Sequence, residues 1–336
     1  MGTVTAPVLA AAGIRVTGCD INLFDRADFP SGGTISDVPN LGKDVRDLTA
    51  QDLAGFDAVI HLAALSNDPM GLLRPGLTLQ INHEGTLNVA RAAKAAGVPR
   101  FVFASSCSNY GKAGDGMIDE TATLNPQTDY GVSKVLAERD LKLLADDRFC
   151  PVFLRFGTAY GASPRMRFDI VLNNLVAHAF TSGRILMMSD GTPWRPIIHV
   201  QDMAKAFLAA LDADADAIRA EAFNVCRTEN NYQIKEIAEI VADTVPGSRI
   251  DYVAEAGPDN RSYRVSSAKI ERLIPDFHAT WDAQMGAEQI FAAVKAVDLT
   301  PDDFNGRKYN RLAQLKALVA EGALDDDFRR TGPIPH

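Results

Sequence analysis

A tyrosine and a lysine stand four positions apart in the stretch YGVSK, at Tyr130 and Lys134. In a helix this spacing places both side chains on one face. A lysine ammonium one turn away favours the phenolate and lowers the pKa of a phenol from its reference value of about 10. Such a phenol can take the proton of an alcohol while hydride leaves the same carbon. The pair alone is a weak signal, because solvated surface pairs also have this spacing.

A serine-rich run, SSCSNYG at 105–111, adds a third group to this pair. The run follows the apolar residues 101–104, which predict a strand. A hydroxyl at the end of that strand, on Ser106, would complete a donor–acceptor network around the substrate oxygen. We therefore predict Ser106, Tyr130 and Lys134 as the catalytic residues.

Strand-like and helix-like segments alternate along the chain. The predicted strands are 14–19, a segment ending near Asp44, 58–64, 101–104 and 152–155, and the predicted helices are 3–12, 77–96 and 129–145, with Gly13 and Gly97 as stops. This alternation is typical of an α/β protein with a doubly wound parallel sheet. Right-handed crossovers bring the carboxyl ends of such strands to one edge, where α/β sheets bind ligands. The residues expected there are Asp20, Asp44, Ala63, Ser106 and Phe156.

The composition indicates an ordinary globular protein, with 23% charged and 46% hydrophobic residues in 336. A net charge of −9 argues against a nucleic-acid partner. The four cysteines and six histidines are scattered without metal-type spacing, so no metal site is predicted. No apolar run approaches the roughly 20 residues of a membrane-spanning helix, and no signal-peptide pattern is present. We expect a cytoplasmic enzyme without a membrane partner.

Six short motifs follow one another over roughly residues 2 to 275 in an order typical of one family. They are HLAA at 61–64, INHEGT at 81–86, SSCSNYG at 105–111, YGVSK at 130–134, NNL at 173–175 and RPIIHVQD at 195–202. The chain resembles the extended short-chain dehydrogenase/reductase family, in particular its NAD-dependent nucleotide-sugar epimerases and dehydratases of the UDP-glucose 4-epimerase type.

The resemblance implies two lobes, and residues 297–336 lie beyond it. Residues 1–165 would form a Rossmann-like domain that binds NAD, and 166–296 a smaller C-terminal α/β lobe that binds a nucleotide-diphosphate sugar, with chain crossings between the lobes. Residues 297–336 form a predicted helical extension, in which Leu312, Leu315 and Leu318 are near helical spacing. This extension could pack on the domain, which we favour, or form a dimer contact. Members of the family usually pair, so we expect a homodimer.

The N-terminus departs from the family pattern. Such proteins open with a strand and a GxxGxxG turn, whose backbone amides and helix N-terminus hold the diphosphate of the dinucleotide. In this chain Gly2 falls where the third glycine would be, so the Rossmann-like sheet is predicted to lack its first strand. A start codon assigned too late, or another N-terminal truncation, is the expectation. The alternative is a protein that evolved without this strand, and an in-frame stop codon upstream of Met1 would favour it.

The other cofactor residues of the family are present. An acid at the end of the second strand binds the adenosine ribose and favours NAD over NADP, and Asp20 matches it. Asp44 and Val45 match the pair that touches adenine, and Asn82 matches an asparagine that supports the lysine and the cofactor. The predicted NAD-binding set is Gly2, Asp20, Asp44, Val45, Leu62, Ala63, Ala64, Asn82, Tyr130 and Lys134.

The resemblance also implies a nucleotide-sugar site in the second lobe. An arginine fork suits diphosphate oxygens, and Arg195 matches the family's diphosphate-binding arginine. The predicted substrate-binding set is Ser106, Asn174, Leu175, Arg195, Asp259 and Arg261. Arg165 and Arg167 are an addition to the pattern that could contact the substrate or lie on the surface.

The residues after Ser106 bear on the type of reaction. Dehydratases of the family have Asp-Glu there, because loss of water needs an acid and a base beside the phenol. Here the positions are Cys107 and Ser108, which argues against dehydration. We predict an NAD-dependent 4-epimerase that works by reversible oxidation at C4. The alternatives are a 4-dehydrogenase or 4-keto reductase, and a non-catalytic dinucleotide-binding protein.

Overall fold

The computed structural model describes residues 1–25, 27–66, 74, 76–252 and 261–334. The strands are β1 (Ala58–His61), β2 (Arg100–Ser106), β3 (Lys112–Ile118), β4 (Cys150–Phe156), β5 (Thr158–Tyr160), β6 (Arg184–Met187), β7 (Trp194–His199), β8 (Ala222–Val225), β9 (Asn231–Gln233), β10 (Arg249–Tyr252) and β11 (Ser262–Val265). The helices are α1 (Gly2–Ala11), α2 (Leu77–Leu79), α3 (Gly85–Ala96), α4 (Asp129–Lys142), α5 (Val171–Ser182), α6 (Val200–Asp212), α7 (Ala215–Ile218), α8 (Ile234–Thr244), α9 (Ala268–Leu273), α10 (Ala283–Ala296), α11 (Pro301–Asn305) and α12 (Arg311–Ala320).

The centre of the N-terminal half is a parallel sheet with strand order β1-β2-β4-β8. Every residue of β4 is buried, and so are the middle residues of β2. Continuous apolar strands of this kind are covered by helices on both faces of a parallel sheet. The predicted α/β fold with a Rossmann-like parallel sheet is therefore confirmed, as are the strands expected at 58–64, 101–104 and 152–155.

The strand predicted at 14–19 does not form. This segment makes only one isolated bridge, between Gly18 and Asn40, and Asp44 begins a 3₁₀ turn instead of ending a strand. Apart from this bridge, no described residue before Ala58 belongs to a β-ladder. A strand needs the hydrogen bonds of a neighbour, and here 14–19 has a partner for one residue alone. The prediction of a buried strand at 14–19 is therefore wrong, and none of these residues is buried.

The predicted first helix is confirmed as α1, and Gly13 follows it with a φ of 81°, which glycine adopts without strain. Helix α1 buries Thr5 and Leu9 and packs against α6. The predicted helix at 77–96 is also confirmed, and Gly97 ends it with a φ of 81°. A π-helical turn, Gln80–Glu84, lies inside it between α2 and α3.

Besides the central sheet, the described residues form three small sheets: the mixed sheet β5-β7-β9 and the parallel pairs β6–β10 and β3–β11. Strands β6, β7, β9, β10 and β11 belong to the predicted second lobe. Its core lies among α5, α8 and α10. Strand β5 follows β4 directly, so the same chain segment leaves the central sheet and enters this lobe. The domain boundaries at 165 and 296 and the homodimer stay predictions.

The C-terminal extension packs on the N-terminal half, as the leucine spacing predicts. Leu315 and Leu318 of α12 form a cluster with Leu65 and Leu77, and Phe24 packs against it. Farther along the extension, Arg330 donates to the backbone carbonyls of Ile21 and Asn22. Arg329 forms an ion pair with Asp47. In the opposite direction, Arg46 donates to the backbone carbonyl of Asp327. The extension therefore covers the segments that follow α1 and precede β1.

The packing of α12 is testable because Leu315 is 0% exposed. Leu315→Ala leaves a cavity, so we expect the free energy of unfolding to fall by about 2–5 kcal/mol. Urea unfolding followed by circular dichroism measures it. The control is Leu143→Ala at the end of α4, where the side chain is 80% exposed and the expected change is within about 0.5 kcal/mol. Equal losses in both variants would contradict the packing.

Candidate active site

The start of α4 positions the catalytic tyrosine. Thr128 is the N-cap of this helix, and its hydroxyl accepts a hydrogen bond from the backbone N–H of Gly131 at 3.3 Å. Tyr130 therefore lies in the first turn, with a half-buried side chain, and Lys134 lies one turn further along. The Nζ of Lys134 is 5.7 Å from the centroid of the Tyr130 ring. The structure thus brings the predicted pair together.

Lys134 lies in the interior, 1% exposed. Its Nζ donates to the carbonyl of Ala104 in β2 at 2.8 Å and lies 4.4 Å from the centroid of the Phe103 ring. Burial lowers the pKa of Lys134 from 10.5 to about 7, and the negative charge of Glu138 opposes this decrease. The lysine charge near Tyr130 is therefore sensitive to pH in the neutral range.

Ser106 is the last residue of β2, and Phe156 of β4 lies beside it in the ladder. Its Oγ accepts hydrogen bonds from the backbone N–H of Ser108 at 3.1 Å and from the Ser108 hydroxyl at 2.7 Å. The side chain is half-buried, and its own proton is left to donate elsewhere. The sheet edge therefore holds the Ser106 hydroxyl in a fixed orientation, as the predicted hydrogen bond to a substrate oxygen requires.

Asn82 links this edge to α4 from the π-helical turn. Its amide accepts from the backbone N–H of Leu65 at 2.7 Å, and donates to the Leu65 carbonyl at 2.9 Å and to the hydroxyl of Ser133 at 3.2 Å. Ser133 in turn donates to the carbonyl of Tyr130 at 2.7 Å. Asn82 thus fixes the loop after β1 and the first turn of α4 together. π-Helical turns of this kind are frequent at functional sites.

The dehydratase positions contain no carboxyl group. Cys107 points into the core, where its thiol donates to the carbonyl of Arg155 at 3.1 Å, and burial raises its pKa well above the ordinary value. Ser108 is engaged with Ser106. A buried carboxylate that sequence analysis missed is Glu138, which pairs with Arg155 at 2.6 Å and accepts hydrogen bonds from Ser105 and Asn109. This buried network supports the end of β2 from behind.

The strand ends and α1 form the edge predicted to bind the cofactor. The start of α1 lies against the loop after β1, since a Cβ on Gly2 would be 3.9 Å from Leu62. Ala63 and Ala64 follow Leu62 and are half-buried. Asp20 is exposed near the same place, and its Oδ1 accepts from the backbone N–H of Asn22 at 2.7 Å. A helix N-terminus and small residues suit the diphosphate of a dinucleotide, and an exposed carboxylate suits its ribose, so these residues fit NAD.

Asp44 has a structural partner at this edge. Its carboxylate accepts from the Arg46 guanidinium at 2.6 and 2.9 Å and from the Arg46 backbone N–H at 2.9 Å. Burial would raise the pKa of Asp44, but these hydrogen bonds outweigh it and lower the pKa. Val45 packs beside Gly85 of α3, where an added Cβ would meet it at 3.2 Å. Contact of this pair with adenine stays a prediction.

The predicted substrate residues lie in different environments. Arg195, on β7, is buried and donates to the carbonyls of Trp194 and Arg261. Asn174 donates to the carbonyl of Phe168 at 2.8 Å, and Leu175 is buried in the core of the second lobe. The structure brings Arg195 and Arg261 together, whereas Asp259 lies outside the described residues.

Arginines near the start of α1 are a feature that sequence analysis did not assign. Arg167 pairs with Asp169 at 2.9 Å and donates to the hydroxyl of Ser66 at 2.8 Å. Arg311, from α12, also lies there, although nothing in the local sequence distinguishes it from a surface residue. Within residues 1–25, 27–66, 74, 76–252 and 261–334, no group of three His, Cys, Asp or Glu side chains could hold a metal ion. In the same described part, no helix is long and apolar enough to cross a membrane.

Comparison with known proteins gives one family and several relatives. The sequence profile of the NAD dependent epimerase/dehydratase family matches residues 1–226, more than half of the chain. UDP-glucose 4-epimerase of Bacillus subtilis (strain 168) is 28% identical over 256 residues, covering 70% of this chain and 74% of the relative.

Two solved structures are similar as well. MoeE5 in complex with UDP-glucose and NAD has 25% identity and a TM-score of 0.75, covering 89% of this chain and 96% of that chain. TunA, an NAD-dependent NDP-hexosamine 5,6-dehydratase of tunicamycin biosynthesis, has 21% identity and a TM-score of 0.75, covering 88% and 94%. The second likeness indicates the fold alone.

The burial of Lys134 has a consequence for stability. Its pKa is about 7 in the folded state and 10.5 unfolded, so above pH 7 unfolding takes up a proton. The free energy of unfolding should then rise with pH between about 7 and 10, by up to about 1.4 kcal/mol per pH unit from this group. Urea unfolding of the cofactor-free protein at several pH values measures it.

Lys134→Met should remove this rise, because methionine does not titrate. Lys142→Met, at an exposed position of the same helix, is the matched control and should keep it. An identical pH profile for wild type and Lys134→Met would contradict the burial of a titrating lysine.

Proposed function

Because the chain belongs to the NAD dependent epimerase/dehydratase family, we propose that it is an NAD-dependent nucleotide-sugar 4-epimerase. The observation that carries this proposal is the pair Tyr130 and Lys134 beside Ser106, with no carboxyl side chain at the two positions after that serine. Such a site can move a proton at one alcohol, but it lacks the extra acid and base that loss of water needs.

In the proposed reaction the substrate's C4 hydroxyl lies between Ser106 and Tyr130. Tyr130 takes the hydroxyl proton as the general base, while Ser106 donates a hydrogen bond to the C4 oxygen. The Lys134 ammonium favours the phenolate that does this work. NAD, when bound, supplies the hydride acceptor and donor. The keto sugar then rotates in the site so that its other face receives the hydride. Tyr130 returns the proton to the oxygen of the inverted carbon.

The cofactor would lie along the edge formed by the start of α1 and the loop after β1. Asp20 would accept hydrogen bonds from the adenosine ribose, and its charge would disfavour the 2′-phosphate of NADP. Gly2, Leu62, Ala63 and Ala64 are small or apolar where the protein backbone would approach the cofactor closely. Asp44 and Val45 would lie at the adenine. Asn82 would support the cofactor and Lys134, and its hydrogen bonds hold Leu65 and Ser133 in position for this role.

The nucleotide sugar would lie toward the second lobe. A hydrogen bond from the Arg195 guanidinium to the backbone carbonyl of Arg261 holds these two residues together. A guanidinium at this place suits the diphosphate of the substrate. Leu175 would contribute through the packing of α5, since its side chain is in the core. Asn174, Asp259 and Arg261 complete the proposed substrate set.

Relatives with other activities make a second candidate necessary. The same Tyr130, Lys134 and Ser106 would serve a 4-dehydrogenase or a 4-keto reductase. A dehydrogenase only removes a hydride from the sugar and a reductase only adds one, whereas an epimerase does both. A non-catalytic dinucleotide-binding protein is the alternative from another class, but such a protein has no need of all three residues.

Product analysis separates these functions. The protein would be incubated with NAD and with UDP-, dTDP-, GDP- and CDP-sugars, and the products followed by NMR. We expect one sugar to be converted to its C4 epimer without net formation of NADH. Net NADH formation would favour the dehydrogenase, an unsaturated or 6-deoxy-4-keto product would contradict the absence of dehydration, and NAD binding without any conversion would favour the non-catalytic protein.

The general base is tested by Tyr130→Phe. We expect turnover to fall by about 10²–10⁴, as for other general acid–base groups, with little change in fold. The control is Tyr252→Phe, which removes the hydroxyl of an exposed tyrosine and should leave turnover unchanged. Initial rates at saturating substrate measure both, and circular dichroism checks the fold. Near-normal turnover in Tyr130→Phe would remove Tyr130 from the mechanism.

A further inference from the structure

Arg311 is a buried arginine whose charge has no carboxylate partner among the described residues. The residue is 7% exposed, and its Nη1 makes no hydrogen bond within the part of the chain that the structure describes. Its Nη2 donates to the carbonyl of Arg165 at 3.3 Å, and the guanidinium lies 4.1 Å from the centroid of the Phe24 ring. A buried cation left in this way destabilises a fold unless an anion offsets it.

The neighbouring arginines are paired with carboxylates, so the excess positive charge at this place comes from Arg311. Arg165 pairs with Asp28 at 3.0 Å, and Arg167 pairs with Asp169 at 2.9 Å, so each of these arginines has its own carboxylate. Arg311 adds one uncompensated positive charge. Burial first, and then the charge of Arg167, lowers the pKa of Arg311 to about 10, which leaves the side chain protonated at neutral pH.

The cluster faces the start of α1. The amino group of Met1 is buried, and the charges of Arg167 and Arg311 help to lower its pKa to about 6, while Asp20 acts in the opposite direction. The loop after β1 joins Arg167 to this helix, because its Ser66 accepts a hydrogen bond from Arg167 and its Leu62 lies against Gly2 in the first turn of the ten-residue α1. No side chain caps this turn, and the Oγ1 of Thr3 within it is buried without a hydrogen-bond partner among the described residues. Free backbone N–H groups and the helix dipole favour an anion at such a place.

We propose that Arg311, together with Arg167 and the first turn of α1, binds the diphosphate of the NAD dinucleotide, so that the C-terminal extension supplies a cofactor-binding residue. The planar guanidinium can direct its free N–H groups at phosphate oxygens, and Thr3 can donate its hydroxyl to the same group. This inference rests on the use of NAD in the proposed function and not on which sugar reaction follows.

The extension holds Arg311 firmly enough for this role. Leu315 and Leu318, one and two turns further along α12, are buried in the cluster with Leu65 and Leu77. Gln314 also donates to the carbonyl of Leu23 at 3.1 Å, on the segment that carries Phe24. A guanidinium that is fixed before the ligand arrives loses little conformational entropy on binding.

The diphosphate of the dinucleotide fits this place better than that of the substrate. Asp20, the residue suited to the adenosine ribose, acts on the same amino group as Arg311. Asp20 and α1 belong to the N-terminal half, whereas the arginines expected for the nucleotide sugar, Arg195 and Arg261, follow β6 in the second lobe. The ribose and diphosphate of one dinucleotide would therefore lie side by side.

Calorimetric titration of wild type and Arg311→Gln with NAD, ADP-ribose and adenosine tests the proposal. NAD and ADP-ribose contain the diphosphate and adenosine does not. We expect Arg311→Gln to weaken binding of the first two about ten- to a hundredfold, the usual value of hydrogen bonds to a charged group, and to leave adenosine binding unchanged. Adenosine affinity would be measured by its competition with NAD.

Two further variants make the result specific. Arg307→Gln removes another arginine of the extension, which pairs with Glu321 at the surface, and should leave all three affinities unchanged. Arg311→Lys keeps the positive charge and should recover part of the lost affinity. Without ligand, Arg311→Gln should melt at the wild-type temperature or above, because it removes an unpaired buried charge.

The outcomes distinguish this proposal from the sugar chemistry. Unchanged NAD affinity in Arg311→Gln would overturn the role of Arg311 while the epimerase proposal stands. Equal weakening of NAD and adenosine, or a lower melting temperature without ligand, would indicate a structural role only and would also overturn it. If Arg311→Gln does not fold, the same titrations of Arg311→Lys test the proposal. This variant is then expected to prefer ADP-ribose over adenosine less strongly than wild type does. Wild-type protein that binds none of the three ligands would overturn the assignment of Arg311 along with the cofactor site.

Discussion

The hydrogen bond from the Lys134 ammonium to the carbonyl of Ala104 joins the two elements on which the site depends. One end lies on α4, which carries Tyr130, and the other on β2, which ends in Ser106. Because Lys134 is buried, its ammonium group loses its hydration. The hydrogen bond to Ala104 and the cation–π contact with the Phe103 ring offset part of that cost. The distance between the tyrosine and the serine is therefore set by a contact whose strength changes with protonation of the lysine.

A second buried network keeps β2 in its place. Glu138, on the same helix as Lys134, pairs with Arg155 of β4 and accepts hydrogen bonds from Ser105 and Asn109. The carboxylate of Glu138 and the guanidinium of Arg155 compensate each other, which is the condition under which buried charges are tolerated. Helix α4 is thus attached to two adjacent strands by charged side chains, and the catalytic turn at its start inherits their rigidity.

The sequence predicted the parts of this molecule that are local or repeated in a known order. The helix at 77–96 and the Tyr130–Lys134 pair follow from spacing within a few turns. The strand at 14–19 was wrong, because a strand also depends on neighbours that a window of six residues does not contain. Glu138 and Arg311 were missed for a related reason: each lies in a helix, and only the contacts made by folding show that one is paired and the other is not.

The bonds between the extension and the first segments of the chain affect the order of folding. Arg330 donates to the carbonyl of Ile21, 309 positions earlier, and α12 closes over residues that leave the ribosome long before it does. Contacts of such separation form late, because the entropy of closing the loop is lost before they stabilise anything. During synthesis Leu23 and Phe24 stay exposed until α12 has been made and has packed on them, and exposed apolar surface of this kind favours aggregation.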